Sequence, residues 1–216
     1  MTRRDRLKGA ATASGGAPAP AGPRRTPAAR TSVDMERFVA DCVEAAEDDR
    51  PQEAVREVLA RAVSDPRATL AAVGDPDKAG LTVFHRSENL TILAAAWTPQ
   101  MNLMPHNHLM WALIGIYTGR EDNILWRNED GRLTGYGAKC LFEGDVAALP
   151  DTVIHSVTNP LERFTGGIHI YGGDFFATKR SQWDPETLTE HPSDGEVMRR
   201  VFDRANARAR CVTEGG

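Results

Sequence analysis

The sequence predicts a mostly β protein, a sandwich or barrel preceded by helices and closed by a short C-terminal helix. Three observations point there. Between Leu81 and Tyr171 the chain passes through eight short β-rich segments broken by turn residues. Ahead of them, apolar residues recur at helical spacing. Behind them, Val197, Val201 and Phe202 form one more helical stripe.

Each element follows from local chemistry. Met35, Phe38, Val39 and Cys42 fall at i, i+3, i+4 and i+7, one face of a helix that Ser32 or Asp34 is placed to cap. Pro51 disfavours helix at the residue before it, so Asp48-Asp49-Arg50 ends that helix. Ala54, Val55, Val58, Leu59 and Ala62 mark a second helix, and a short third piece runs from Thr69 to Val73, ahead of Gly74. Strands are expected at 81–84, 90–93, 111–117, 123–126, 133–142, 145–149, 153–157 and 167–171, with turns at Gly119, 128–131, Glu143-Gly144 and Asn159-Pro160. The closing helix is expected over 194–207. The organisation is therefore a tail (1–31), a helical lead-in (32–79), a β-barrel (80–183) and a C-terminal extension with a helix (184–216).

Composition narrows the function classes. At 216 residues, 41% of them hydrophobic, the chain makes about one domain with a real core. A formal net charge of -4 argues against nucleic acid or anionic membrane as a partner. No apolar run is long enough to span a membrane. Cys42, Cys140 and Cys211 form no CxxC pair, which argues against a disulfide framework or a cysteine zinc site and fits a reducing, cytoplasmic setting. Cys140 is expected as a small core residue.

The first thirty residues carry Arg3, Arg4, Arg6, Lys8, Arg24, Arg25 and Arg30 against Asp5 alone, among Ala, Gly and Pro. Such a segment buries too little surface to offset its ordering entropy, so disorder is expected. Arg3-Arg4 looks like a twin-arginine export signal, but glycines, prolines and further arginines stand where its apolar stretch belongs. A start at Met35 is an alternative.

Of the six histidines, His106, His108, His155 and His169 fall in the strand region. Pro105-His106-Asn107-His108 is expected to open a strand, where alternation puts both imidazoles on one face. His155, at the start of another strand, can supply a third imidazole and leave metal positions open. His85 is expected to be structural, and His191 lies in a polar segment. Met101, Met104 and Met110 are expected to pack in the core or at its rim, and Trp111 either lines the pocket or packs outside the barrel.

The segment Gly144 to Asn159 resembles the second signature of the cupin superfamily: a glycine, Pro150 six further on, His155 five beyond that, and Asn159 four later. Thr152 stands where the family usually has glycine. The resemblance implies a cupin double-stranded β-helix barrel with N-terminal helices and a short C-terminal helix. Many cupins add a glutamate after the HxH; here the first acid after His108 is Glu121, outside that position. The expected site is thus three neutral imidazoles. A divalent ion keeps its full charge there, favours an anionic substrate, and lowers the pKa of a bound thiol or water.

Three histidines without a carboxylate resemble the thiol dioxygenases, the family of cysteine and 3-mercaptopropionate dioxygenases. The likeness runs from about Thr82 to Trp183 and is carried by 105–115, 154–160 and 169–174. It implies Fe(II) on His106, His108 and His155, with a small thiol and O2 as substrates and a sulfinate as product. It implies further that His169 and Tyr171 belong to the family's Ser-x-His-x-Tyr relay, with Gly167 in place of the serine. The family's cysteine–tyrosine cross-link is not expected, because no cysteine lies between His108 and Cys140. Two arginines align with carboxylate anchors: Arg86 with that of cysteine dioxygenases, Arg180 with that of 3-mercaptopropionate dioxygenases. Arginine suits the role through its bidentate fork. Two other readings stay open: a metallo-cupin dioxygenase of a non-thiol anion, motivated by Gly167, and a non-catalytic cupin that binds or senses a small molecule. Oligomeric state is unreadable.

Overall fold

The computed structural model describes residues 33–214; the basic tail expected over 1–31 lies outside them. Four helices are present among the described residues: α1 (Met35–Ala45), α2 (Pro51–Val63), α3 (Pro66–Val73) and α4 (Gly195–Glu214). Asp34 caps α1 by accepting from the Glu36 and Arg37 amides. Pro51 and Pro66 occupy first turns, where a missing N–H costs nothing. The third helix therefore starts at Pro66, capped by Asp65, rather than at Thr69. The closing helix likewise runs on to Glu214.

Eleven strands follow among the described residues: β1 (Gly80–Arg86), β2 (Thr91–Trp97), β3 (Asn102–Asn107), β4 (Ala112–Thr118), β5 (Arg120–Glu129), β6 (Arg132–Phe142), β7 (Val146–Leu149), β8 (Ile154–Thr158), β9 (Thr165–Tyr171), β10 (Ser181–Trp183) and β11 (Glu190–Pro192). They form two antiparallel sheets, ordered β1-β2-β9-β4-β7 and β11-β10-β3-β8-β5-β6. Within them, β2-β9-β4-β7 faces β3-β8-β5-β6. That strand order is the jelly roll with two Greek keys, the double-stranded β-helix of cupins.

The sequence expectation missed β3, β10 and β11. Pro105 was expected to open a strand. It sits instead where the β3–β8 register shifts between Leu103 and His106, an irregularity that tolerates proline. The His106-Asn107-His108 run consequently closes a strand instead of opening one, and Leu109 follows in a turn at φ +56°. Cys140 is also corrected: it is exposed on β6, an edge strand in which only Leu133 and Leu141 are buried.

Strand alternation builds two cores from one sheet. The inward residues Leu93, Ala95 and Trp97 of β2 and Ala112, Ile114 and Ile116 of β4 pack inside the barrel with Met101, Met104 and Met110. The outward residues Ile92, Leu113, Ile168 and Ile170 pack under α1 and α2 against Phe38, Val55, Leu59 and Val63. Gly115 permits that layer: a Cβ there would fall 2.9 Å from the Leu59 side chain. Trp111 is partly buried in the outer layer, not in the cavity.

Helix α4 lies against the inner core through Phe202 and Ala205. Phe202 stacks on Trp97 at 5.8 Å between ring centres. Asn206 fixes the helix to the chain ahead of β1: its Oδ1 accepts from the Ala79 amide (2.7 Å) and its Nδ2 donates to the Ala79 carbonyl (3.0 Å). Among the described residues, no helix is long and apolar enough to cross a membrane.

Candidate metal centre

His106 on β3 stands directly opposite His155 on β8. His108 follows two residues later on the same side. Their ligand nitrogens all lie within 4.8 Å of one another, and the three rings are buried. Ring centres are 5.1, 4.5 and 4.9 Å apart, a nearly equilateral set.

The surroundings fix two tautomers. A carbonyl can only accept, so His106 Nδ1 donates to Met104 O at 3.0 Å. Asn123 turns its amide nitrogen to Glu121 and its oxygen to His155, which donates from Nδ1 at 2.6 Å. In both rings the Nε2 lone pair is thereby left for a ligand. Nε2 of His155 and Nε2 of His108 are 3.2 Å apart. Two imidazoles on one ion at about 2.0–2.1 Å each come this close. Burial pushes the His106 pKa down to about 4 and those of His108 and His155 well below 6.5, so all three are neutral and ready to ligate. This donor set fits a divalent transition ion.

His169 and Tyr171 share the inward face of β9 and the same cavity as His106 and His155. The Tyr171 hydroxyl is 3.4 Å from His169 Nδ1. Burial pushes the Tyr171 pKa up, so the hydroxyl keeps its proton. Its ring stacks on Phe175 and meets His108 edge-on.

Glu121 escaped sequence reasoning. It is fully buried on β5, with Trp97 Nε1 donating to it at 2.8 Å and Asn123 Nδ2 at 3.1 Å. Its Oε2 also lies 3.3 Å from His169 Nε2, a close contact rather than an aligned hydrogen bond. Burial pushes its pKa up, but His169, Trp97 and Asn123 outweigh that and hold it as a carboxylate. Gly167 makes this arrangement possible: a Cβ there would sit 3.3 Å from His169 Nε2 and 3.1 Å from Ile116. A carboxylate arriving from another strand thus reaches His169 beside Gly167. The available signal was period two: Glu121 and Asn123 alternate inward in β5, which begins three residues ahead of the strand expected at 123–126.

The two arginines part company. Arg180 lines the cavity, with its guanidinium 4.0 Å over the Phe175 ring and Nη1 donating to Phe175 O. Its Nε is buried without a partner, and among the described residues no carboxylate pairs with it. Arg86 is half-exposed and held bidentate by Asp174 at 2.9 and 3.0 Å. It does not line the cavity, so the structure does not bring it to the metal site. His85 and His191 also lie outside.

No family model matches the sequence. Several solved structures align with part of the chain. An uncharacterised protein with a double-stranded β-helix domain from Klebsiella pneumoniae is 11% identical, covering 56% of this chain and 89% of its own, at a TM-score of 0.35. A cupin superfamily protein from Desulfitobacterium hafniense is 14% identical over 47% of this chain and 83% of its own, at 0.36. A cupin barrel protein from Salinispora arenicola is 17% identical over 47% and 81%, at 0.35. The fold assignment rests on strand order and not on these likenesses.

Proposed function

We propose that the protein is an Fe(II)-dependent thiol dioxygenase, oxidising a thiol carboxylate to its sulfinate with O2. 3-Mercaptopropionate and cysteine are the smallest candidates. One observation carries the proposal: three buried neutral imidazoles, with no carboxylate among them, stand together, and two of them, His106 and His155, line a cavity with the unpaired cation of Arg180. Fe(II) on His106, His108 and His155 would supply an electrophilic, redox-active centre where a thiolate and O2 meet.

The chain's own residues do the rest. Arg180 binds the substrate carboxylate, and its stacking on Phe175 holds the guanidinium in place. Its position, against that of Arg86, favours anchoring of the 3-mercaptopropionate type. The Tyr171 hydroxyl offers a hydrogen bond inside the cavity. His169 orients that hydroxyl through Nδ1, and Glu121 stands behind Nε2. Free thiols at Cys42, Cys140 and Cys211 suit a reducing cytoplasm.

The test is anaerobic loading with Fe(II), then O2-electrode assays against 3-mercaptopropionate, cysteine and cysteamine, with products identified by mass. Uptake with a carboxylate thiol, lost in His155→Ala, is expected. Stoichiometric iron with no uptake on any thiol would overturn the proposal.

A further inference from the structure

The cavity is much larger than a three-carbon acid requires. Its volume is about 500 Å3. At about 30 Å3 per water, that is space for about seventeen water-sized groups. 3-Mercaptopropionate has six non-hydrogen atoms.

The lining of this space is mixed in chemistry. His106, His155, His169, Tyr171 and Arg180 supply polar groups. Leu81 on β1, with Met198 and Phe202 on α4, belongs to the inner apolar cluster and gives the cavity an apolar wall. Phe202 is held there by its stack on Trp97, and α4 by the Asn206–Ala79 pair. The wall is therefore a fixed surface. It offers water no hydrogen-bond partners, so a three-carbon acid seated at the histidines would leave it poorly solvated. An apolar group attached to the same acid would cover it. The exposed Lys78 also lines the cavity, with no carboxylate partner among the described residues, and Arg199 is tied to Glu196 and Asp203.

We propose that the substrate is a thiol carboxylate carrying an apolar body, about a dozen or more non-hydrogen atoms in all, whose carboxylate meets Arg180 and whose body lies against Leu81, Met198 and Phe202. The sulfur in this assignment rests on the thiol dioxygenase reading. The size and the apolar body rest on the cavity.

Calorimetric titration of the Fe(II)-loaded protein under argon separates the two. The ligands are 3-mercaptopropionate, 2-benzyl-3-mercaptopropionate, and the sulfur-free 2-benzylpropionate. The benzyl thiol acid is expected to bind at least tenfold more tightly than the three-carbon acid, because it buries a phenylmethyl group against the wall. Met198→Trp, which fills that space, is expected to shrink the ratio. Should that variant not fold, the ligand series alone decides. Equal or tighter binding of 3-mercaptopropionate by the unaltered protein would overturn the proposal. A benzyl advantage shared in full by 2-benzylpropionate, with no sulfinate formed in air from the thiol acids, would sink the thiol reading and leave the apolar-body assignment standing. Absence of binding by all three would overturn both.

Discussion

Asn123 bridges His155 and Glu121: its oxygen accepts from His155 Nδ1 at 2.6 Å, and its amide donates to the Glu121 carboxylate at 3.1 Å. Because Glu121 also touches His169, one buried carboxylate stands behind both a candidate metal ligand and the His169–Tyr171 pair. Glu121→Gln keeps the size and removes the charge. Turnover is expected to fall about 10- to 100-fold, the usual cost of losing an outer partner of a metal site. Iron content, measured in parallel, should stay close to that of the unaltered protein, since Asn123 still holds His155. Full activity in the variant would show the charge to be idle.

Arg180 and Arg86 should respond in opposite ways. Arg180→Ala removes a charge-assisted bond to the substrate carboxylate, so kcat/KM for carboxylate thiols should drop about 10- to 100-fold. Cysteamine, which lacks the carboxylate, should change much less. Arg86→Ala breaks the half-exposed pair with Asp174 and the contact over the Phe176 ring, and should leave kcat/KM unaltered. Steady-state kinetics on the two variants with two thiols reads all four outcomes.

The metal-free protein should lose stability in acid over a defined window. His106 has a folded pKa near 4 against an ordinary value of 6.5, so between these limits the unfolded chain binds more protons than the folded one. Its contribution is complete above about pH 6.5 and is lost as pH falls toward 4. His108 and His155 are shifted the same way and steepen the effect. Thermal melts from pH 7 to 4 should show a falling Tm, and Fe(II) or Zn(II) affinity should fall with it, because protons compete for the same nitrogens. A flat Tm across this range would contradict the buried neutral triad.

Thiol accessibility gives a check on the outer layer. Cys42 is fully buried on α1, and burial pushes its pKa up to about 12, so it should resist labelling in the native protein. Cys140 and Cys211 are exposed and should react. Denaturation should release the third thiol. Rapid native labelling of Cys42 would mean that α1 and α2 do not cover the sheet as described.

Much of this architecture was legible because local chemistry and tertiary placement agreed. Gly144, Pro150, His155 and Asn159 each do in the structure what their type suggests: Gly144 turns at φ +88°, and buried Asn159 holds the carbonyls of Trp97, Thr98 and Arg163. Legibility failed where strand bounds were misplaced. Pro105 was expected to open a strand that in fact ends at Asn107, and Glu121 fell outside a strand expected to begin at 123. Cys140 misled for a different reason: its type favours burial, but an edge strand offers nothing to bury against. Arg86 and Arg180 were equivalent in sequence, because only the fold decides which of them finds Asp174 first.

Residue parity along β9 divides labour. Ile168 and Ile170 serve the helical layer, whereas His169 and Tyr171 face the cavity. Substitutions on one side are screened from the other by the backbone itself, so the outer layer can drift without disturbing the cavity. Length has no such freedom. One inserted or deleted residue in this strand would exchange the two sets, sending the imidazole and phenol under the helices and the isoleucines into the cavity. The strand can therefore vary widely in spelling while its count stays fixed.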